Sequence, residues 1–324
     1  MFTERRQGAP ALLVLPALLA MLVALSATVS VPLARATFPG DNGRIAFVRR
    51  GTIQTMRADG TKRRRLTRDE AGQTDSGPAF SPGGKRIAFV RDFFRGPRRD
   101  WKSRIYIVRA NGSHVHRVKP RRRPRPRFYY GPAFSPGGKR IVFEGCRRTK
   151  PKCALFTVGT DGTRLRRLTA YKGPPRHDSN PTFSPNGTKI AFDGYRGLYC
   201  NVYVMRADGT DVRDLTNNDI DNDCDGQPSF SPDGGEIAFT SDHESISSDI
   251  YLMRADGTDV RQLTTFADRD LGASGPSFSP NGKRIAFTIY DEGSRTESIG
   301  VMRAGGTEQR RLVGGGGPDW GVRP

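Results

Sequence analysis

The 324-residue chain is poor in the residues from which many enzymes build reactive centres. It has four His and four Cys, and no Cys-x2-Cys pair of the kind that holds a zinc ribbon. Cys146, Cys153, Cys200 and Cys224 are therefore read as two disulfides, Cys146–Cys153 and Cys200–Cys224, with a tetrahedral metal site as the alternative. No Gly-x-Ser-x-Gly occurs, which excludes the nucleophile elbow of an α/β-hydrolase. Lysine is scarce too. It supplies only ten of the 53 basic residues, the rest being Arg. The net charge of +20 points to a polyanionic partner, or to nothing more than the Arg bias of a GC-rich genome.

Long apolar runs are also missing, with one exception. Residues 11–31 are almost wholly apolar, Arg5 and Arg6 precede them, and Ala34-Arg35-Ala36 follows with the small-x-small pattern of a signal-peptidase site. The pattern predicts a signal peptide over 1–36 and a mature domain over 37–324. A retained anchor is the alternative, since the run is long enough to span a bilayer. The expected location is periplasmic, cell-envelope or secreted, with no stable membrane span after cleavage.

What the chain has in abundance is repetition, the feature to seek before any other. A phrase Pro-x-Phe-Ser-Pro-x-Gly is followed by an Ile-Ala-Phe run. After an insert of variable length come Ile-Tyr-Val-Met-Arg-Ala-Asp-Gly-Thr and Arg-x-Leu-Thr. Phe80, Phe134, Phe183, Phe230 and Phe278 anchor the copies, and Trp320 stands at the same place in a last, partial one.

Each copy encodes four strands. Strand a is the short segment ending at the anchor. Ser-Pro-x-Gly turns the chain, with Pro suited to the second turn position and Gly to a left-handed one. Strand b is apolar at consecutive positions, as a strand buried on both faces is. Strand c has the Ile-Tyr-Val-Met pattern, and an Asp-Gly or Asn-Gly hairpin leads to the polar outer strand d. Strands b, c and d occur six times, starting near Gly43 with no strand a before them. The sixth strand a, around Trp320, has no b, c or d after it. The count predicts an all-β, six-bladed β-propeller with four-stranded antiparallel blades, its ring closed by the C-terminal strand completing the N-terminal blade. An open solenoid is the alternative.

The Phe-Ser-Pro-x-Gly, Ile-Ala-Phe and Met-Arg-Ala-Asp-Gly-Thr phrases resemble the WD-like repeats of the TolB-type propeller family. The resemblance covers nearly all of 37–324 and implies the fold without specifying a function. TolB's own amino-terminal α/β domain has no counterpart here, so a stand-alone propeller is expected.

Alternation of strand direction puts the b–c loops and d–a connections on one face, the variable one. The regular turns lie on the other, where a scaffold role is expected. Binding residues concentrate on variable loops. Trp101 lies among basic residues in the second b–c insert. The connection after it carries Arg121, Arg122, Arg123, Arg125 and Arg127, then Phe128, Tyr129 and Tyr130. Basic groups interleaved with aromatics suit an anionic polymer, or form a solvated, Pro-stiffened loop. Opposite in sign, Asp221, Asp223 and Asp225 before Gly226 match the first half of a calcium loop, but Pro232 stands where the bidentate Glu belongs. Calcium is one reading and a solvated acidic loop the other. Asp75, Asp178 and Asp225 each stand five residues before their anchor, with His177 beside Asp178. They are read as a carboxylate ring at the channel mouth that binds a cation or amine, or as turn chemistry.

The function expected is an exported binding module or scaffold. Its variable face would hold an envelope or extracellular protein, or an anionic polymer. The alternative is a carbohydrate-active lyase or hydrolase working at the channel mouth.

Overall fold

The computed structural model describes residues 37–324 apart from 96–99, 122–125, 148–152, 171–176, 197–198, 218–223, 243–246 and 267–270, and the side chains at 95, 100, 196 and 199 are also left aside. The sequence-predicted signal peptide lies outside these residues. Among the described residues, no helix is long and apolar enough to cross a membrane.

Six four-stranded antiparallel sheets make six blades. Numbered in chain order, the inner strands are β4 (Gln73–Phe80), β8 (Phe128–Phe134), β12 (Asp178–Phe183), β16 (Asp225–Phe230), β20 (Leu271–Phe278) and β24 (Gly316–Val322). Each inner strand touches the next, and β24 touches β4, so the circle closes. The closing sheet runs β24, β1 (Asn42–Arg49), β2 (Thr52–Met56) and β3 (Arg64–Arg65). Here Ile45 pairs with Trp320, the predicted union of the two ends of the repeat. Blade 1 contains this junction, and blades 2 to 6 follow in order.

The core lies between blades. Ile45, Phe47, Ile299 and Trp320 form one buried cluster at the seam of blades 6 and 1. Phe134, Phe143, Phe183 and Phe192 belong to a larger cluster that runs from blade 2 to blade 4. Strand b is apolar on both faces because each of its faces meets a neighbouring sheet.

Two features orient the faces. The Ser-Pro-x-Gly turn closes with Gly84 N donating to Ser81 O (2.8 Å), and Gly84 has φ 64°. The Asp-Gly hairpin is a four-residue turn, Gly60 N to Arg57 O (2.9 Å), with Gly60 left-handed at φ 84°. Backbone bonds tie the two kinds of turn together within a blade, as from Ala110 N to Lys85 O (2.9 Å) and from Ala255 N to Gly235 O (2.9 Å). They therefore share one face, and the long inserts share the other, as the strand alternation requires.

Every inner strand is bulged just before its anchor. The residue three before the anchor is left-handed in all six blades: Gly77, Gly131, Asn180, Gln227, Gly275 and Gly317, with φ between 46° and 63°. In three blades the amide of that residue crosses to the preceding blade. Gln227 N donates to Asp193 Oδ1 (2.6 Å), Gly275 N to Thr240 Oγ1 (2.9 Å) and Gly317 N to Thr288 Oγ1 (3.0 Å). Asp193, Thr240 and Thr288 occupy the same register of strand b, so these bonds are one latch repeated at successive seams.

Candidate functional site on the variable face

The blade 2 hairpin is the longest in the ring. Strands β5 (Arg86–Arg95) and β6 (Asp100–Arg109) remain paired as far as Arg95 and Asp100. The antiparallel register sets Phe94 opposite Trp101 at the end of this hairpin. Their rings stack at 6.1 Å and 13°, and Phe94 is 48% exposed. Trp101 also packs on Phe128 (5.0 Å) and edge-on against Tyr130 (6.2 Å), across the seam to blade 3. Its Nε1 donates to Asp92 Oδ1 (2.9 Å), which fixes the indole. Burial pushes the Asp92 carboxyl up to about 6, against the opposing pull of that hydrogen bond.

Basic groups flank this shelf. The Arg127 guanidinium lies 5.8 Å over the Phe128 ring. Arg104 donates to the carbonyl of Arg127 (2.9 Å) and lies 5.8 Å over Tyr129. Arg121 is exposed, but its backbone N bonds to Gly162 O (2.9 Å) in the Asp-Gly hairpin of blade 3, which sets it toward the turn face and away from the shelf. Arg122, Arg123 and Arg125 lie outside the described residues. Tyr129 itself is buried and stacks on Phe143 (5.3 Å). Phe94 is exposed, and Trp101, Phe128 and Tyr130 are partly exposed beside it.

The acidic residues fall into two groups. Asp75 is buried in blade 2 and held by Arg91 through two bonds, 2.6 and 2.8 Å, so it belongs to an ion pair within its own sheet. Asp178 and Asp225 are buried at the entries of β12 and β16. The structure adds two acids that the repeat register did not single out. Glu144, in β9 (Arg140–Cys146), and Asp193, in β13 (Lys189–Arg196), occupy equivalent places in neighbouring strands b. Both are buried. Burial raises Glu144 to about 8, helped by Asp193 and Asp178. Burial raises Asp193 to about 7 against the pull of Asn180, the Gln227 amide and Ser179, with Asp225 adding to the rise. His177 stacks on Tyr195 at 4.2 Å beside this cluster. A comparison of register could have found Glu144 and Asp193, since other blades carry Val or Thr there.

Both disulfides are present. Cys146–Cys153 joins directly paired residues at the end of the blade 3 hairpin, formed with β10 (Cys153–Gly159). Cys200–Cys224 ties strand c of blade 4 to the entry of β16. Glu144, Cys146 and Cys153 come close enough to suggest metal ligands, but the sulfurs are consumed in a disulfide and cannot act as thiolates. Of the calcium-loop residues, Asp221 and Asp223 lie outside the described residues, and Asp225 is a buried strand residue paired with Ser241.

Comparison with known proteins agrees with this architecture. Residues 123–273 match the model of the TolB beta propeller domain. No curated protein matches the chain. TolB from Acinetobacter baumannii is similar in structure, with a TM-score of 0.69 at 22% identity over 88% of this chain and 68% of that one. An Agrobacterium tumefaciens protein assigned to TolB gives 0.66 at 20% identity over 85% and 91%. A chain of the nidogen/laminin complex gives 0.64 at 11% identity over 86% and 98%.

Proposed function

We propose that this chain, a TolB-like six-bladed β-propeller, is an exported binding module that holds an anionic polymer on its variable face, at the seam of blades 2 and 3. The observation that carries this reading is the stacked Phe94–Trp101 pair, partly open to solvent, with Arg127 over the Phe128 ring that packs on Trp101. An apolar shelf beside guanidinium groups suits a polymer whose units carry both a ring face and a negative charge. The ring stacks, and the guanidinium takes the carboxylate. An acidic polysaccharide meets both demands. Export is supported by the apolar 11–31 segment and by two disulfides, which persist in oxidising compartments.

Polygalacturonate is the probe. Trp101 and Trp320 are the two tryptophans, and Trp320 is buried, so a change of emission on titration reports Trp101. Trp101→Ala is expected to weaken binding about tenfold, the scale of one lost stacking contact. Arg127→Ser is expected to make the affinity less dependent on salt. Unchanged affinity in both variants would defeat the reading.

A further inference from the structure

The turn face, regular in backbone, is divided in charge. Two residues after each hairpin glycine the chain is left-handed in every blade, at Lys62, His114, Arg164, Asp211, Asp259 and Glu308, with φ between 48° and 59°. In blades 4 to 6 this residue is acidic and neutralises its neighbours. Asp211 pairs with Arg213 (3.1 Å) and Arg206 (3.8 Å), Asp259 with Arg254 (3.7 Å) and Arg261 (3.9 Å), and Glu308 with Arg303 (2.6 Å). In blades 1 to 3 the same place holds Lys, His or Arg. Among the described residues, Arg44, Arg57, Arg64, Arg86 and Arg109 form no ion pair there. Asp59 and Asp161 accept from Thr61 (2.7 and 2.8 Å) and Thr163 (2.7 and 2.9 Å), and stand near Arg57 and Arg121, so one acid per hairpin faces several cations.

A groove of about 660 Å³ opens on this uncompensated side, lined chiefly by Arg44, Arg64, Lys85, Arg86, Arg109 and Asn111. No acidic side chain and no aromatic ring lines it. Two of its cations are held in place. Arg44 donates to Thr55 Oγ1 (3.0 Å), Thr55 O (3.2 Å) and Lys62 O, and Arg86 donates to Gly138 O (2.8 Å). Burial, with Arg57 and Arg64 close by, lowers the basicity of Arg44. Like charges are therefore crowded, with Asp59 near Arg57 as a counter-charge outside the groove.

We propose that the turn face of blades 1 and 2 binds a phosphate-bearing polymer. Guanidinium forks match phosphate oxygens, and positioned ones bind them with less loss of freedom. A polymer built of sugar or base rings would want a stacking partner, and the groove has none. A chain of phosphates without rings needs only charge, which is what this surface offers. The site is distinct from the aromatic shelf and lies on the opposite face.

Inorganic polyphosphate titrated into the full chain at several salt concentrations tests this. Lys62→Asp with His114→Asp copies the chemistry of blades 4 to 6 at positions where Asp tolerates the left-handed backbone. This double variant is expected to bind polyphosphate at least tenfold more weakly and with a shallower salt dependence. Arg64→Ser with Arg109→Ser, both at exposed residues, should do the same. The triple change Arg206→Glu, Arg254→Glu and Arg303→Glu should leave most of the affinity. Polygalacturonate binding through Trp101 should survive K62D/H114D, so failure of one site is separable from failure of the other. Parental affinity in both blade 1–2 variants overturns the proposal, as does an equal loss in the triple variant. Binding of polyglutamate with polyphosphate ignored would also overturn it, placing an acidic protein on this face.

Discussion

Glu144 and Asp193 hold protons that a water-exposed carboxyl would release. Their pKa values, about 8 and about 7, lie above those of the unfolded chain, so the folded state binds protons more tightly. Their effect on stability is most favourable below the unfolded pKa, and it is lost as pH rises from there through 7 to 8. Asp59, Asp161, Asp208 and Asp256 act in the opposite sense. Their carboxyls are depressed by hydrogen bonds from the Thr two residues on, so their contribution is lost as pH falls below the ordinary carboxylate range. The melting temperature is expected to peak in mildly acid solution and to fall by pH 9. Glu144→Gln and Asp193→Asn should flatten the alkaline side. A tenfold change in proton affinity is worth ~1.4 kcal/mol, so the pair commands on the order of several kcal/mol. An alkaline limb as steep in the double variant as in the parent would refute the assignment. Asp75, Asp178 and Asp225 were legible in the sequence because they recur in one register. Glu144 and Asp193 stand out only when the strands b are aligned with one another. Each follows a Phe at the end of an apolar run, where a carboxylate looks like the start of a surface loop, and its burial is created by the neighbouring blade.

At the level of the strand, the legible part was the period and the turn chemistry. Pro in Ser-Pro-x-Gly and Gly in Asp-Gly do what their dihedral preferences dictate. The bulge in each inner strand was hidden. In four blades it uses Gly, easily taken for part of the repeated phrase, and in two it uses Asn180 and Gln227. Its purpose is visible only with the preceding blade in place, where the turned-out amide meets Asp193, Thr240 or Thr288. Gly275→Ala forces a Cβ into the left-handed region at φ 59° while leaving the amide donor. A loss of about 1–2 kcal/mol is expected from urea unfolding. A neutral result would mean that the bulge tolerates side chains generally, as Gln227 does. The stacked shelf shows the same limit. The sequence placed Trp101 in an insert among basic residues, but only the length of the β5–β6 ladder puts it face to face with Phe94.

For the whole molecule, blade number and closure were countable in the sequence, because six copies of three strands and six of the fourth leave one way to close a ring. The division of charge was half legible. Runs of Arg are obvious in a sequence, whereas the alternation of acid and base at one turn position appears only when the blades are aligned on their geometry. Trp320 is central to closure. It is 2% exposed and pairs with Ile45, its backbone N donates to Ser277 Oγ (3.0 Å), and the neighbouring Asp319 accepts from Phe80 N (2.6 Å). Trp320→Ala is expected to cost about 3–5 kcal/mol, more than the same change at Trp101 on the surface, by equilibrium denaturation. Equal costs at the two positions would contradict a closing role.

The sheet of blade 1 also governs how the chain comes into being. Strand β1 is made early and its partner β24 last, so throughout synthesis β1 presents unmatched amides and carbonyls. A polypeptide cut short anywhere before residue 316 keeps that bare edge for good, and bare edges recruit other strands. Joining the two ends is therefore a test of intactness carried out by the molecule on itself, and a fragment is marked for capture or aggregation by the seam it fails to seal.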